Sequence, residues 1–342
     1  MKILIIKLGA LGDVIRTTSI LAGLKSKYAN CEIYWVAKKD ASDFLKNNGM
    51  IDKIFLISEI RKILSNKYDL VISLDDDYNA CKLASNASGK KIIGAYMNDG
   101  KRAYSDDSSL WFDMGLLSRL GKEKADGIKA RNRKTYQEIM YMILGLDYKK
   151  QEPILMLNEK EQDFGKNFAG KNGISDTDIV IGINTGAGGR WEDKKLSVEK
   201  TAELIDSLNR EVKNAKLVLF GGPQETERNN RIKNLSKTKI IDAGCGNSLM
   251  EFTSLVNLCR VIVTSDSLAL HIGVALKKNV VAFFCPTPSA EIELYGRGIK
   301  IVPKVGCLCC YKQKCDITPV YEVMEIVKAV KKLLNKGYLT SL

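Results

Sequence analysis

The chain has 342 residues, 45% hydrophobic and 27% charged, with a formal net charge of +13. It is longer than one compact core usually fills, so two domains are expected, and no stretch approaches the roughly 20 uninterrupted apolar residues of a membrane span. The charge favours anionic partners such as nucleotide phosphates, phosphorylated lipids or a membrane surface, with solubility as the plainer account; nucleic acid is not expected, because no zinc finger, basic zipper or RNA-binding signature occurs.

The first strand is predicted over Lys2–Lys7. Its apolar run is too short for a signal peptide, which points to the cytoplasm. It leads into Lys7-Leu8-Gly9-Ala10-Leu11-Gly12-Asp13, a glycine turn before a helix. Glycines permit tight turning, and N–H groups at a helix start hold anions. The third glycine of a dinucleotide fingerprint is absent, since position 14 is Val. On position alone Asp13 reads as the cap of that helix. A carboxylate there is also suited to take the proton of an attacking hydroxyl. Val14, Leu21, Leu24 and Tyr28 then share one helical face.

Further strands are predicted over Glu32–Ala37, Lys53–Ile57, Leu70–Leu74 and Lys91–Ala95. Asp75-Asp76-Asp77 looks like a metal-binding acid pair, but in a Rossmann-like half solvated carboxylates or acceptor contacts are the expectation. Strand signals stop between Asp99 and about Lys150, where Thr135–Leu144 reads as a helix closed by Gly145. They resume at Ile179–Asn184, Lys216–Phe220, Lys239–Asp242, Val261–Thr264, Val280–Phe284 and Lys300–Val302. Continuous apolar strands alternating with helices imply an α/β fold of parallel sheets covered on both faces. Two facing Rossmann-like domains follow, residues 1–165 and 166–342, with ligand in the cleft at the carboxyl ends of the strands.

Three motifs of the second half lie at such strand ends. Thr185-Gly186-Ala187-Gly188-Gly189-Arg190, with Lys194 behind it, suits a phosphate cradle; a flexible basic loop is the alternative, and no Walker lysine–serine pair follows. Gly221-Gly222-Pro223-Gln224-Glu225 ends in a carboxylate placed to hold ribose hydroxyls or, more plainly, to sit in a helix's first turn. Thr264-Ser265-Asp266-Ser267-Leu268-Ala269-Leu270-His271 runs from strand to helix, with Ser267 as a natural N-cap and an amide-rich start able to receive a diphosphate. His271 is the only histidine in the chain. Of nine cysteines, Cys31, Cys259 and Cys285 read as small core residues. Cys307, Cys309, Cys310 and Cys315 resemble half of a zinc or iron–sulfur site, so Cys307, Cys310 and Cys315 are candidate ligands of a structural metal; a disulfide or free thiols are the alternatives.

Together these motifs resemble glycosyltransferase family 9, the lipopolysaccharide heptosyltransferases, over nearly the whole chain. The resemblance rests on Leu8 to Val14, Gly186 to Lys195, Gly221 to Glu225 and, most specifically, Ser265 to Leu276. It implies a GT-B architecture and an inverting, metal-independent transfer of heptose from a nucleotide diphosphate sugar, ADP-heptose first. The implied acceptor is an anionic glycolipid or glycan of the cell envelope, met at the inner face of the cytoplasmic membrane. Asp13 becomes the general base, with Gly12 and Arg16 as acceptor contacts. Lys194 steadies the departing diphosphate, while Thr185, Gly186, Arg190, Glu225 and the run Asp266, Ser267, Leu268 and His271 bind the donor. Three features depart from the family: Leu268 replaces a glycine, Leu196-Ser197 replaces a Trp-Pro, and Asn98–Arg133 has no counterpart in the core heptosyltransferases. A nucleotide-sugar epimerase of the same shape and a non-catalytic cysteine-ligated metal protein are the rival functions.

Overall fold

The computed structural model describes residues 1–188, 194–305 and 320–336. The chain divides into two compact units, Met1–Met156 with Ala290–Glu293, and Leu157–Ser289 with Leu294–Leu342. A boundary at 165/166 would cut the helix Glu159–Lys171. That helix opens with a complete capping box, Asn158 and Glu161 each bonding the other's backbone N–H.

Among the described residues each unit holds one six-stranded sheet. In the first, the strands are β1 (Lys2–Ile6), β2 (Glu32–Ala37), β3 (Lys53–Leu56), β4 (Lys67–Ser73), β5 (Ser88–Asn98) and β6 (Lys101–Tyr104), in the order β3-β2-β1-β4-β5-β6. The pairs among β1 to β5 are parallel and only β6 runs antiparallel. In the second, β7 (Ile179–Asn184), β8 (Ala215–Phe220), β9 (Ile241–Asp242), β10 (Val261–Ser265), β11 (Asn279–Phe283) and β12 (Gly298–Ile301) lie in the order β12-β11-β10-β7-β8-β9, all parallel. Both sheets therefore start in the middle and grow outward both ways. Their strand order reverses between β1 and β4 and between β7 and β10.

Two-sided burial explains why these strands read as unbroken apolar runs. In β1, Ile3 and Ile5 enter one core cluster while Leu4 and Ile6 enter another, and all four are fully buried. In β8, Leu217 and Leu219 divide from Val218 and Phe220 in the same way. At about 1.5–3 kcal/mol for each buried aliphatic side chain, such strands form the centre of the fold. Cys31, Cys259 and Cys285 are buried as expected, and burial pushes the Cys259 thiol up to about 12. No helix among the described residues is long and apolar enough to cross a membrane.

Two expectations are corrected. Val14, Leu21, Leu24 and Tyr28 do pack in one cluster, but from two helices, Leu11–Thr17 and Ile20–Lys27, with Tyr28 at the C-cap of the second. The break lies at Thr18 and Ser19, whose hydroxyls bond back to the carbonyls of Ile15 and Arg16 at 2.7 and 2.8 Å. The stretch after Asp99 is not strand-free either, because β6 follows β5 through a two-residue turn. Asp99 and Gly100 both have positive φ, the requirement of a type I′ hairpin, so the Asp-Gly dipeptide was the signal; the polar Lys-Arg-Ala-Tyr of the edge strand hid it.

Gly94, in β5, has φ +113°, and a Cβ there would lie 1.8 Å from the Ser73 carbonyl oxygen of β4. Gly94→Ala should lower stability by about 4 kcal/mol or more, read as a fall in the urea midpoint. A variant as stable as wild type would contradict this backbone approach.

Candidate active site

Where strand order reverses, the loops leaving the two central strands part in opposite directions, and ligands of open α/β sheets bind in the crevice so formed. The sequence-predicted residues collect at these two places.

In the first unit the crevice lies beyond β1 and β4. Asp75 is buried there, its carboxylate accepting from Leu8 N, from Gly9 N at 2.8 Å and from Lys7 Nζ at 2.5 Å. Asp75 is therefore not a solvated carboxylate, which corrects that expectation for the first residue of the acid triplet. A side chain at Gly9 would displace this pair, since a Cβ would lie 2.5 Å from Asp75 Oδ1 and 2.9 Å from Lys7 Nζ. Asp77 caps the helix Tyr78–Asn86 by accepting from Asn79 N and Ala80 N. Burial alone would depress the Lys7 ammonium, but the charges of Asp75 and Asp13 outweigh it and hold the group well above the usual lysine range.

Asp13 is not the cap of its helix. Ala10 holds the N-cap position, without a side-chain bond, and Asp13 stands in the first turn. Its carboxylate is 31% exposed and lies 2.9 Å from Arg16 Nη2 and 3.8 Å from Lys7 Nζ. Gly12 is buried beside it. The Arg16 guanidinium centres 3.8 Å from the Tyr136 ring centroid, a stacking suited to its planar charge. The Tyr136 hydroxyl is 2.6 Å from Thr17 Oγ1. Glu291, from the returning segment Ala290–Glu293, brings Oε2 to 3.8 Å from Arg16 Nη1.

In the second unit the crevice lies beyond β7 and β10. Lys194 is buried, and its Nζ donates to Asp266 O and Oδ2, both at 3.0 Å. Thr287 Oγ1 donates to the same Oδ2 at 2.6 Å, and His271 Nε2 stands 3.9 Å from Oδ1. Burial pushes the Asp266 carboxyl up, but the Lys194 and His271 charges and the hydrogen bonds of Thr287 and Lys194 prevail and hold it below the usual carboxylate range. Ser267 occupies the N-cap position of the helix Leu268–Ala275, yet its hydroxyl makes no capping bond. It lies instead 3.0 Å from Thr264 Oγ1 and 3.3 Å from Asn184 Nδ2. Leu268 is the first residue of that helix. Asn184 Nδ2 also donates to Gly186 O at 2.8 Å, tying the glycine loop to the β10 turn.

Glu225 is buried, taking Gly222 N on Oε2 at 3.0 Å with Lys195 Nζ 3.3 Å from Oε1. A Cβ on Gly186 would come within 3.1 Å of Glu225 Oε2, so loop and carboxylate pack closely. The Thr185 hydroxyl faces Phe220 O at 3.0 Å and Asn229 Oδ1 at 2.6 Å. Arg190 and the cysteines Cys307, Cys309, Cys310 and Cys315 lie outside the described residues; among those described, no three His, Cys, Asp or Glu side chains converge as metal ligands.

Residues 57–320 match the sequence profile of glycosyltransferase family 9 (heptosyltransferase). The chain belongs to that family. An 81-residue stretch is 35% identical to lipopolysaccharide heptosyltransferase 1 of Campylobacter coli, spanning 23% of this chain and 24% of that relative. Two solved structures share the fold. The family 9 glycosyl transferase of Veillonella parvula covers 98% of this chain and 97% of its own, at 21% identity and TM-score 0.78. The ADP-heptose LPS heptosyltransferase II of E. coli covers 99% and 100%, at 20% identity and TM-score 0.70. The two-sheet architecture of this family 9 member is accordingly GT-B.

Lys7 and Asp75 were both singled out in the sequence, but not their contact, which only the strand order reveals. Several other residues of the two crevices had escaped the sequence reading. Asn184, Thr287 and Glu291 carried no signal.

Because Asp266 is held below its ordinary value in the fold, its contribution to stability is present above about pH 4 and fades as pH falls through the depressed value. Asp266→Asn should cost about 3 kcal/mol at pH 7, the usual effect of breaking a buried pair, and the gap from wild type should narrow toward pH 2. Urea unfolding at the two pH values checks this; a gap independent of pH would contradict the pairing.

Proposed function

We propose that this family 9 member transfers heptose from ADP-heptose to an anionic glycolipid or glycan of the cell envelope, with inversion, at the inner face of the cytoplasmic membrane. The observation that carries the reading is Asp13, a partly exposed carboxylate held by Lys7 and Arg16 without capping its own helix. The acceptor hydroxyl attacks the anomeric carbon from the face opposite the diphosphate, its proton passes to Asp13, and the bond to the diphosphate oxygen breaks. Gly12 and Arg16 meet the acceptor.

Charge developing on the departing diphosphate is met by Lys194, Arg190 and the first-turn N–H groups of the helix Leu268–Ala275. Thr185 and Gly186 shape the loop, Glu225 holds the ribose, and Asp266, Ser267, Leu268 and His271 complete the donor site. ADP-heptose is favoured because that sugar nucleotide is named for the E. coli relative of the same fold. These cations make a catalytic metal unnecessary, so turnover should persist in EDTA. A metal at Cys307, Cys310 and Cys315 would be structural only.

Asp13→Asn tests the base. With no capping bond to lose, the variant should fold with a melting temperature near wild type, and ADP should still raise that temperature. Turnover with ADP-heptose and lipopolysaccharide core fragments should fall about 10²–10⁴-fold, the usual worth of a general base. Turnover within a few-fold of wild type would overturn the assignment.

A further inference from the structure

We infer that Glu291 is a positioning residue for Asp13, acting through Arg16. The inference rests on the reading of Asp13 as the base. Arg16 is buried, with Nη2 2.9 Å from Asp13 and Nη1 3.8 Å from Glu291, so one planar cation serves two carboxylates from opposite ends of its fork. Glu291 is itself buried, and a buried carboxylate is costly unless paired. Its backbone is pinned as well, because Tyr136 N donates to Glu291 O at 2.9 Å. Tyr136 is also the ring on which Arg16 stacks. Glu291, Tyr136, Arg16 and Asp13 thus form a connected set of contacts within the first unit, although Glu291 is 278 positions beyond Asp13 in the chain.

The consequence is electrostatic. Among the described residues, the charged and titratable groups around Asp13 include Lys7 from the end of β1, with Asp75 behind it, Arg16 on its own helix, Tyr136 and, through Arg16, Glu291. While Glu291 holds one end of the guanidinium, Arg16 is shared. Without that carboxylate Arg16 belongs more fully to Asp13, and a closer cation makes a carboxylate a poorer proton acceptor. Glu291 therefore keeps the base both aimed and basic. Thr287, four positions earlier, donates to Asp266, so one short stretch of chain carries a contact of each candidate site.

The test is Glu291→Gln in the full-length protein, read by ¹³C NMR titration of labelled aspartate, with Asp13→Asn assigning the Asp13 signal. The Asp13 midpoint should fall by about half a pH unit or more. The acid limb of kcat/KM should move down with it, and plateau kcat should drop about 3–10-fold as a weaker base predicts. ADP affinity should not change. Glu291→Asp keeps the charge on a shorter arm and should restore most of both readouts; it also serves if the Gln variant does not fold. An Asp13 midpoint and acid limb unmoved by Glu291→Gln, with Asp13→Asn inactive, would overturn this inference and leave the base standing. An active Asp13→Asn enzyme would remove the base itself.

Discussion

One pairing recurs at the centre of both units: a buried lysine on the chain leaving the first strand meets an aspartate just beyond the fourth. In the first unit it is Lys7 with Asp75, in the second Lys194 with Asp266. The reversal of strand order brings the two partners together. At that point the two central strands lie side by side while their outgoing loops diverge, leaving polar backbone exposed to a crevice. An acid on one loop and a cation on the other bridge the gap and supply the hydrogen bonds that buried polar groups require. The rest of each site is hung on this bridge: Asp13 beside Lys7, and Thr287 and His271 beside Asp266.

The two bridges differ in a way that suits different tasks. Asp75 takes two backbone N–H groups of the glycine turn as well as the lysine, so it fixes the backbone that carries Asp13. Asp266 instead gathers side chains, Lys194 and Thr287 on one oxygen and His271 near the other. A loop clamped through its backbone is a rigid platform for Asp13, the base of the proposed mechanism. In the proposed mechanism, a cation held by a side-chain carboxylate keeps its charge where an incoming diphosphate can compete for it.

The strands and their parallel packing were legible in the sequence because burial on both faces writes unbroken apolar runs. The glycine turn, Lys194, Asp266 and the helix after it were legible because strand ends in such folds are where ligand chemistry collects. Burial of Glu225 and Asp75 was not, since a carboxylate in a loop looks the same whether solvated or clamped by N–H groups. Asp13 misled in the other direction. Asp near a helix start most often caps it, but the helix began earlier, at Leu11, and moved the cap to Ala10. Glu291 was beyond reach, because only the fold returns those four residues to the first unit.

That return bears on how Asp13, the proposed base, is held. A carboxylate flanked by two cations is well oriented but made less basic by them, so orientation and reactivity pull against each other. The first unit moderates both cations with further acids: Asp75 draws on Lys7, and Glu291 draws on Arg16. Each cation then holds Asp13 by hydrogen bonding or proximity while spending part of its field elsewhere. The stacking of Arg16 on Tyr136 serves the same end, since a guanidinium fixed by its flat face needs less from its carboxylate to stay in place. The setting of Asp13, the base of the proposed mechanism, is thus a property of five side chains rather than one, and three of them, Asp75, Tyr136 and Glu291, are brought to it from far along the chain.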